Sequence, residues 1–281
     1  MKIHLEHVTR LDYNTDVVEG VMDVRLGPLS DPDQRWDVFT IAVSPSGSVR
    51  RYTDGFGNRA HLITVAKAHR MLEVVTRCDV VTTLMDPFSP PAQRPRALTP
   101  AELADYLSPS ALVPVSAELA AMAAPFRPSS PEGTFEAVRL LSKHVHDEFT
   151  YTRNVTTVAT TVEDVLRHRT GVCQDFAHLL IGLCRSIGIP ARYVSGYTVS
   201  NGAGGASAHI ADTEASHAWA EAYTPVHGWR GFDPTNDLVA STAHIKMAIG
   251  RDYADVPPTR GTFRGHADER LTVTVETRQV E

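Results

Sequence analysis

The first third of the chain alternates. Ile3 and Leu5, then Val8 and Leu11, open a run of apolar positions separated by polar ones. Val21–Leu26, Val38–Val43, Ser48–Thr53, Ala60–Val65 and Leu72–Val81 repeat the pattern. A period of two belongs to strands with one buried face. The runs are bounded by proline, glycine or aspartate, which end strands and make turns. One boundary, Asp54-Gly55-Phe56-Gly57-Asn58, is rich in residues that tolerate positive φ. Residues 1–85 are expected to form a β-rich, β-sandwich-like accessory domain, in which no chemical constellation assembles.

The pattern changes after residue 85. Asp86–Arg96 is proline-rich, and 86–98 reads as a linker. Thr99-Pro100-Ala101-Glu102 is a capping box with proline at the first helical position. Helices are expected there, over Ala117–Ala123, and over Gly133–Glu148, where Phe135, Val138, Leu141 and Val145 share a face. Another capping box at Thr161 starts a short helix. From Cys173 the apolar positions run Phe176, Leu179, Leu180, Leu183, Cys184 and Ile187, a helical spacing stopped by Gly188 and Pro190. Strands follow over Ala191–Val199, Ser216–Tyr223, Trp229–Asp233 and Arg270–Glu276. The glycine-rich stretch 201–207 reads as a flexible loop of the kind that borders a cleft. Residues 99–281 thus read as one α+β domain.

Composition narrows the field. A net charge of −6 over 281 residues argues against nucleic acid or an anionic membrane as partner. No apolar run approaches a membrane span. Met1–His7 alternates in polarity and lacks an apolar signal core, so a cytoplasmic location is expected. Three cysteines, at 78, 173 and 184, make no disulfide framework, which fits a reducing compartment.

The candidate chemistry begins at Cys173. It follows Thr170-Gly171 and opens a helix, where unpaired N–H groups and the helix dipole favour a thiolate. Cys184, mid-helix among Leu183 and Ile187, reads as structural. A nucleophilic cysteine needs a base, and the base an orienting acceptor. Downstream, His217, Trp219, Glu221 and Tyr223 alternate with alanines, which suggests an alanine face packed on a helix. A hairpin centred near Pro225 would set His217 opposite Asp233, Trp219 opposite Gly231 and Glu221 opposite Trp229, with imidazole and carboxylate on one face.

Metal chemistry fits less well. His144 and His146 are two apart on a helix and diverge, no HExxH or paired CxxC occurs, and His178 reads as a helix-face or cleft-lining residue. The 201–207 stretch lacks the Lys-Ser/Thr pair of a phosphate loop.

The blocks Gly171-Val172-Cys173-Gln174-Asp175-Phe176-Ala177-His178, Gly188–Tyr197, His217-Ala218-Trp219-Ala220-Glu221 and Gly231-Phe232-Asp233-Pro234-Thr235-Asn236 resemble the bacterial transglutaminase-like superfamily of proposed cysteine proteases. Gly250–Val256, Arg260-Gly261 and the β-rich start with its Asp54–Asn58 turn resemble it too. The resemblance implies a papain-like, transglutaminase-like α+β core with Cys173 as nucleophile, His217 as base and acid, and Asp233 orienting the imidazole. No cofactor and no metal are expected. The substrate expected is a peptide or an amide-bearing protein, with hydrolysis favoured over amine transfer; a non-catalytic peptide binder on the same fold is the reading of another class. For a second oxyanion donor, relatives in animals use an upstream tryptophan. Here none lies between Trp36 and Trp219, and Tyr151 is the candidate substitute.

Overall fold

The structure is a computed structural model that describes residues 1–199 and 216–280. Strands β1 (Lys2–Val17), β2 (Glu19–Val24), β3 (Gln34–Ser44), β4 (Ser48–Thr53), β5 (Arg59–Val65) and β6 (His69–Thr82) come first. Helices α1 (Pro100–Leu107), α2 (Ala117–Ala123) and α3 (Thr134–Glu148) follow, then β7 (Thr150–Tyr151), α4 (Val162–His168), β8 (Thr170–Gly171) and α5 (Cys173–Ser186). The remainder is β9 (Ala191–Thr198), β10 (His217–Thr224), β11 (Gly228–Asp233), β12 (Leu238–Val239), β13 (His244–Gly250), β14 (Thr259–Arg264) and β15 (Glu269–Val280).

Two four-stranded sheets, ordered β15-β1-β6-β3 and β14-β2-β5-β4, face each other across Leu11, Tyr13, Val24, Ile63, Val65, Leu72 and Val74. This is the expected sandwich, with one change of phase. In β1 the buried positions run Ile3, Leu5, His7, Thr9, Leu11, and Val8 is only half-buried. The strand keeps its period by burying two polar residues that satisfy each other: His7 Nε2 and Thr9 Oγ1 lie 2.8 Å apart, and Tyr197 Oη is 2.7 Å from His7 Nδ1.

The boundary of the second unit needs correction. The sequence places 99–281 together, but β15 pairs with β1 along Lys2–Tyr13 and β14 pairs with β2. The last strands belong to the sandwich sheets. β1 and β2 each need an outer partner to cover their backbone groups, and local alternation cannot say which strand supplies it. The proline-rich stretch is also no loose tether. Its carbonyls at Pro87 and Arg96 accept hydrogen bonds from Arg230 (3.3 Å) and Tyr223 (2.6 Å).

The second unit is built on the sheet β12-β11-β10-β9-β13. On one face, Ala218, Ala220 and Ala222 share a core with Phe176, Ala177 and Leu180 of α5, and α2, α3 and α4 complete it. The small alanines let a fully buried helix approach the strand. On the other face Trp219 lies with Val194, Ala240 and Ile249, covered by Leu29 and Phe56 of the sandwich. A third cluster, including Ile3, Leu5, Val80, Tyr197 and Ile245, joins the units. Two amides fasten them further at β13, an edge strand of its sheet. Gln34 donates to the Lys246 carbonyl (2.7 Å) and accepts its N–H (2.8 Å). Asn58 does the same for Ile249 (2.7 and 2.8 Å).

Candidate active site

The short β8 pairs in parallel with β7, Tyr151 beside Gly171, and carries the chain into α5. A Cβ on Gly171 would meet Asp175 Cβ at 2.7 Å, so only glycine lets the turn close over that side chain. Asp175 Oδ2 accepts the Val172 N–H (2.8 Å) and the Thr156 hydroxyl (2.7 Å). It therefore caps the helix and ties down the segment before α4. Burial, partly offset by these two bonds, pushes the Asp175 carboxyl up. Cys173 stands at the first position of α5 with 9% of its surface exposed. Cys78 and Cys184 are buried in apolar surroundings that push both thiols up to about 12.

His217 opens β10. Its Nε2 is 2.7 Å from Asp233 Oδ2, so Nε2 carries the proton donated to the carboxylate and Nδ1 is left as the other ring nitrogen. The Cys173 thiol is in hydrogen-bonding contact with the same ring. Burial opposes a charge on His217, but Asp233 and then Cys173 outweigh it and raise the imidazole well above its ordinary value of 6.5.

Asp233 is fully buried. Its Oδ1 accepts the backbone N–H groups of Thr235 (3.0 Å) and Asn236 (3.3 Å), and its Oδ2 accepts Asn236 Nδ2 at 2.8 Å as well as His217. Burial works against the carboxylate; the imidazoles of His217 and His244 reverse this and hold it far below the usual range.

The hairpin differs from expectation by two residues. Glu221 faces Gly231 and Tyr223 faces Trp229, because the turn is centred on Val226 rather than Pro225. Thr224 pairs with Gly228, whose φ is +72°, the left-handed glycine that closes a three-residue hairpin loop. Moving the centre by one residue shifts every pair by two and leaves each side chain on its face. Asp233 is thus a diagonal rather than direct neighbour of His217, and the two side chains still meet.

Two glycines frame the site from behind. Gly196 pairs with His217, and a Cβ there would lie 2.6 Å from Trp219 Cη2. On Gly231 a Cβ would lie 3.0 Å from Trp219 Nε1. The indole fills the space that both leave.

Among the other residues singled out from sequence, Tyr151 packs edge-on against Phe176 at 6.2 Å, next to the Cys173 turn. His178 is buried in the core, and its Nε2 accepts the Tyr253 N–H at 3.1 Å, so it lines no cleft. The glycine-rich 201–207 stretch lies outside the described residues. Sequence reasoning missed Asn236 and His244. Asn236 sits three residues after Asp233, in reach of its own turn. His244 carries no local signal.

A helix-borne cysteine against an antiparallel sheet that supplies a paired histidine and aspartate defines an α+β protein of the transglutaminase-like type. The chain belongs to the transglutaminase-like superfamily. Residues 120–234 match the transglutaminase-like superfamily core, and residues 3–81 match the bacterial transglutaminase-like N-terminal region. An uncharacterized protein of Mycobacterium tuberculosis is 34% identical, the match covering 96% of this chain and 90% of that one. A crystal structure of a proposed cysteine protease from Cytophaga hutchinsonii shares the fold, with a TM-score of 0.77 and 23% identity over 100% of this chain and 92% of the other. The protein-glutamine gamma-glutamyltransferase of Pseudomonas aeruginosa is 31% identical over 45% of this chain and 20% of its own length. Among the described residues no helix is long and apolar enough to cross a membrane.

Proposed function

We propose that the protein is a cysteine-dependent acyl-transfer enzyme that cleaves a peptide, isopeptide or side-chain amide bond. Cys173 is the nucleophile, His217 the base and later the acid, and Asp233 the group that orients and charges the imidazole. The observation that carries this reading is the His217 ring held between a buried carboxylate and a thiol. In the first half-reaction the thiolate attacks the carbonyl carbon. The C–N bond breaks, His217 gives its proton to the departing amine or ammonia, and a thioester remains. In the second, water gives a proton to His217 and its oxygen to the acyl carbon. The C–S bond breaks, a carboxylic acid leaves, and the Cys173 thiolate beside protonated His217 is restored. The Cys173 backbone N–H at the start of α5 is one donor for the tetrahedral oxyanion, and Tyr151 is the candidate second.

Hydrolysis is the favoured fate of the thioester. Amine transfer is the second reading, favoured by the similarity to the Pseudomonas aeruginosa gamma-glutamyltransferase. The substrate proposed is a peptide or an amide-bearing protein, and three cysteines that form no disulfide suit work in the reducing cytoplasm.

The test is a panel of glutamine-containing peptides with and without a primary amine, read by mass. Cleavage, deamidation and amine incorporation give distinct products, and all should vanish in Cys173→Ala. Turnover that survives Cys173→Ala would remove the nucleophile from this role.

A further inference from the structure

The carboxylate oxygen that receives His217 has a second histidine near it. His244 opens β13 and is 7% exposed. Its backbone N–H donates to the Ser241 carbonyl (3.0 Å), and its Nδ1 accepts the Ser241 N–H (3.4 Å). A neutral imidazole whose Nδ1 accepts carries its proton on Nε2. That Nε2 faces Asp233 Oδ2 at 3.5 Å. Trp219 packs against both histidines, with ring centroids 6.0 Å from His217 and 5.2 Å from His244.

The strand under His244 is firmly held. Gln34 spans both backbone groups of Lys246, and Asn58 those of Ile249, so β13 is fixed from its outer edge by the sandwich. The charges around the ring are otherwise engaged. Glu221 on β10 is bound by Arg192 (2.7 Å) and by Lys246 on His244's own strand (3.1 Å). Lys246 also meets Asp31. Arg230 on β11 faces Asp33 at 3.7 Å. Of the acids near His244, Asp233 is the one turned toward it.

We propose that His244 is a positioning residue for the reaction above. Its Nε2–H holds the Asp233 carboxylate in place and takes a share of its charge, which sets how firmly that carboxylate retains the His217 imidazolium. The proposal rests on the Cys173–His217–Asp233 reading and gives the N-terminal sandwich a part in the chemistry, through the strand it clamps.

The test is nitrogen-15 NMR of the imidazoles in the intact chain, assigned with single-histidine variants and followed against pH. In the wild type His244 should be protonated on Nε2 with Nδ1 bare; a proton on Nδ1 would overturn the proposal. In His244→Phe, which keeps a ring against Trp219 but has no donor, the His217 titration midpoint should move to higher pH, because Asp233 then has one competitor fewer. His244→Gln keeps a donor and should return the midpoint toward the wild-type position. An unmoved midpoint in the Phe variant, even with a lower melting temperature, means that His244 only packs. A Gln variant displaced as far as the Phe variant would also sink the idea, since bulk rather than the N–H would then be responsible. Should the Phe variant fail to fold, the wild-type tautomer and the Gln variant decide. None of these readings needs turnover. An inert Cys173 would therefore defeat the proposed function and leave the imidazole coupling separately measurable.

Discussion

At the scale of single residues, the site depends on what is missing as much as on what is present. Gly196 and Gly231 leave the volume that Trp219 occupies, and the indole in turn backs both histidines. Gly196→Ala would force its Cβ onto the Ile245 carbonyl as well as the indole, and backbone cannot yield as a flexible side chain can. It should cost about 1–3 kcal/mol or more, read as a lower denaturant midpoint. Gly55→Ala, which meets nothing within 4 Å, is the control and should change little.

The His217–Asp233 pair makes a prediction about pH. His217 is raised above its ordinary 6.5, so its contribution is full below that value and fades as pH rises through the folded-state midpoint. Asp233 is depressed below its ordinary 3.8, so its contribution is present above that value and lost on acidification. The stability difference between wild type and Asp233→Asn should therefore be greatest between about pH 4 and 6.5 and shrink at higher pH. A difference that grew through the alkaline range would mean the pair is not held as an ion pair. The residues of this pair were legible from type, order and spacing. His244 was not, because it reaches Asp233 from a strand whose place in the sheet is set by long-range pairing.

At the scale of elements, most of the helices followed from local rules. The capping boxes at Thr99 and Thr161 are both formed, and α5 ends before Gly188 at φ +83°. Its apolar spacing called for one buried face, whereas the structure buries every residue of α5 but Ser186, because sheet and helices pack around it. The β10–β11 hairpin shows the limit of such reading. Which turn closes it depends on Gly228 taking a left-handed conformation, and Gly228 and Pro225 both signal a turn. The faces survived that ambiguity because a shift of two preserves parity, whereas a shift of one would have moved Asp233 to the other face. The element that sequence described least was β13. Asn58 is fully buried against it, and Asn58→Ala would strip the Ile249 N–H and C=O of their partner, at about 1–3 kcal/mol for each unsatisfied group. Asn58→Asp should be costly too, since an oxygen would then face the Ile249 carbonyl. Urea titration of both variants checks this, and wild-type stability in either would mean that water replaces the amide.

At the scale of the whole molecule, the chain closes on itself. Its first strand pairs with its last, and the cluster around Ile3, Val80, Tyr197 and Ile245 is shared between sandwich and catalytic sheet. None of this is visible in local periodicity, which is why the sequence-based boundary grouped β14 and β15 with the wrong sheet. Two consequences follow from the shared core. Denaturant unfolding, followed through Trp36 in the sandwich and Trp219 in the catalytic sheet with the other tryptophans replaced, should give coincident transitions; separate midpoints would show that the units fold independently. Ending the chain after residue 268 would uncover the edge of β1 and make residues 2–17 the first site of proteolysis. Cleavage elsewhere, at wild-type rate, would show that β15 is dispensable.

The central claim is that Cys173 is activated by the His217–Asp233 pair, and iodoacetamide labelling localised by peptide mass tests it most directly. At mildly acidic pH, Cys173 should label rapidly while Cys78 and Cys184, buried and pushed up to about 12, stay unlabelled. His217→Ala should slow the labelling of Cys173 sharply. Labelling of Cys173 at one rate in wild type and His217→Ala, or none at Cys173 under conditions that alkylate a free thiol, would contradict the account.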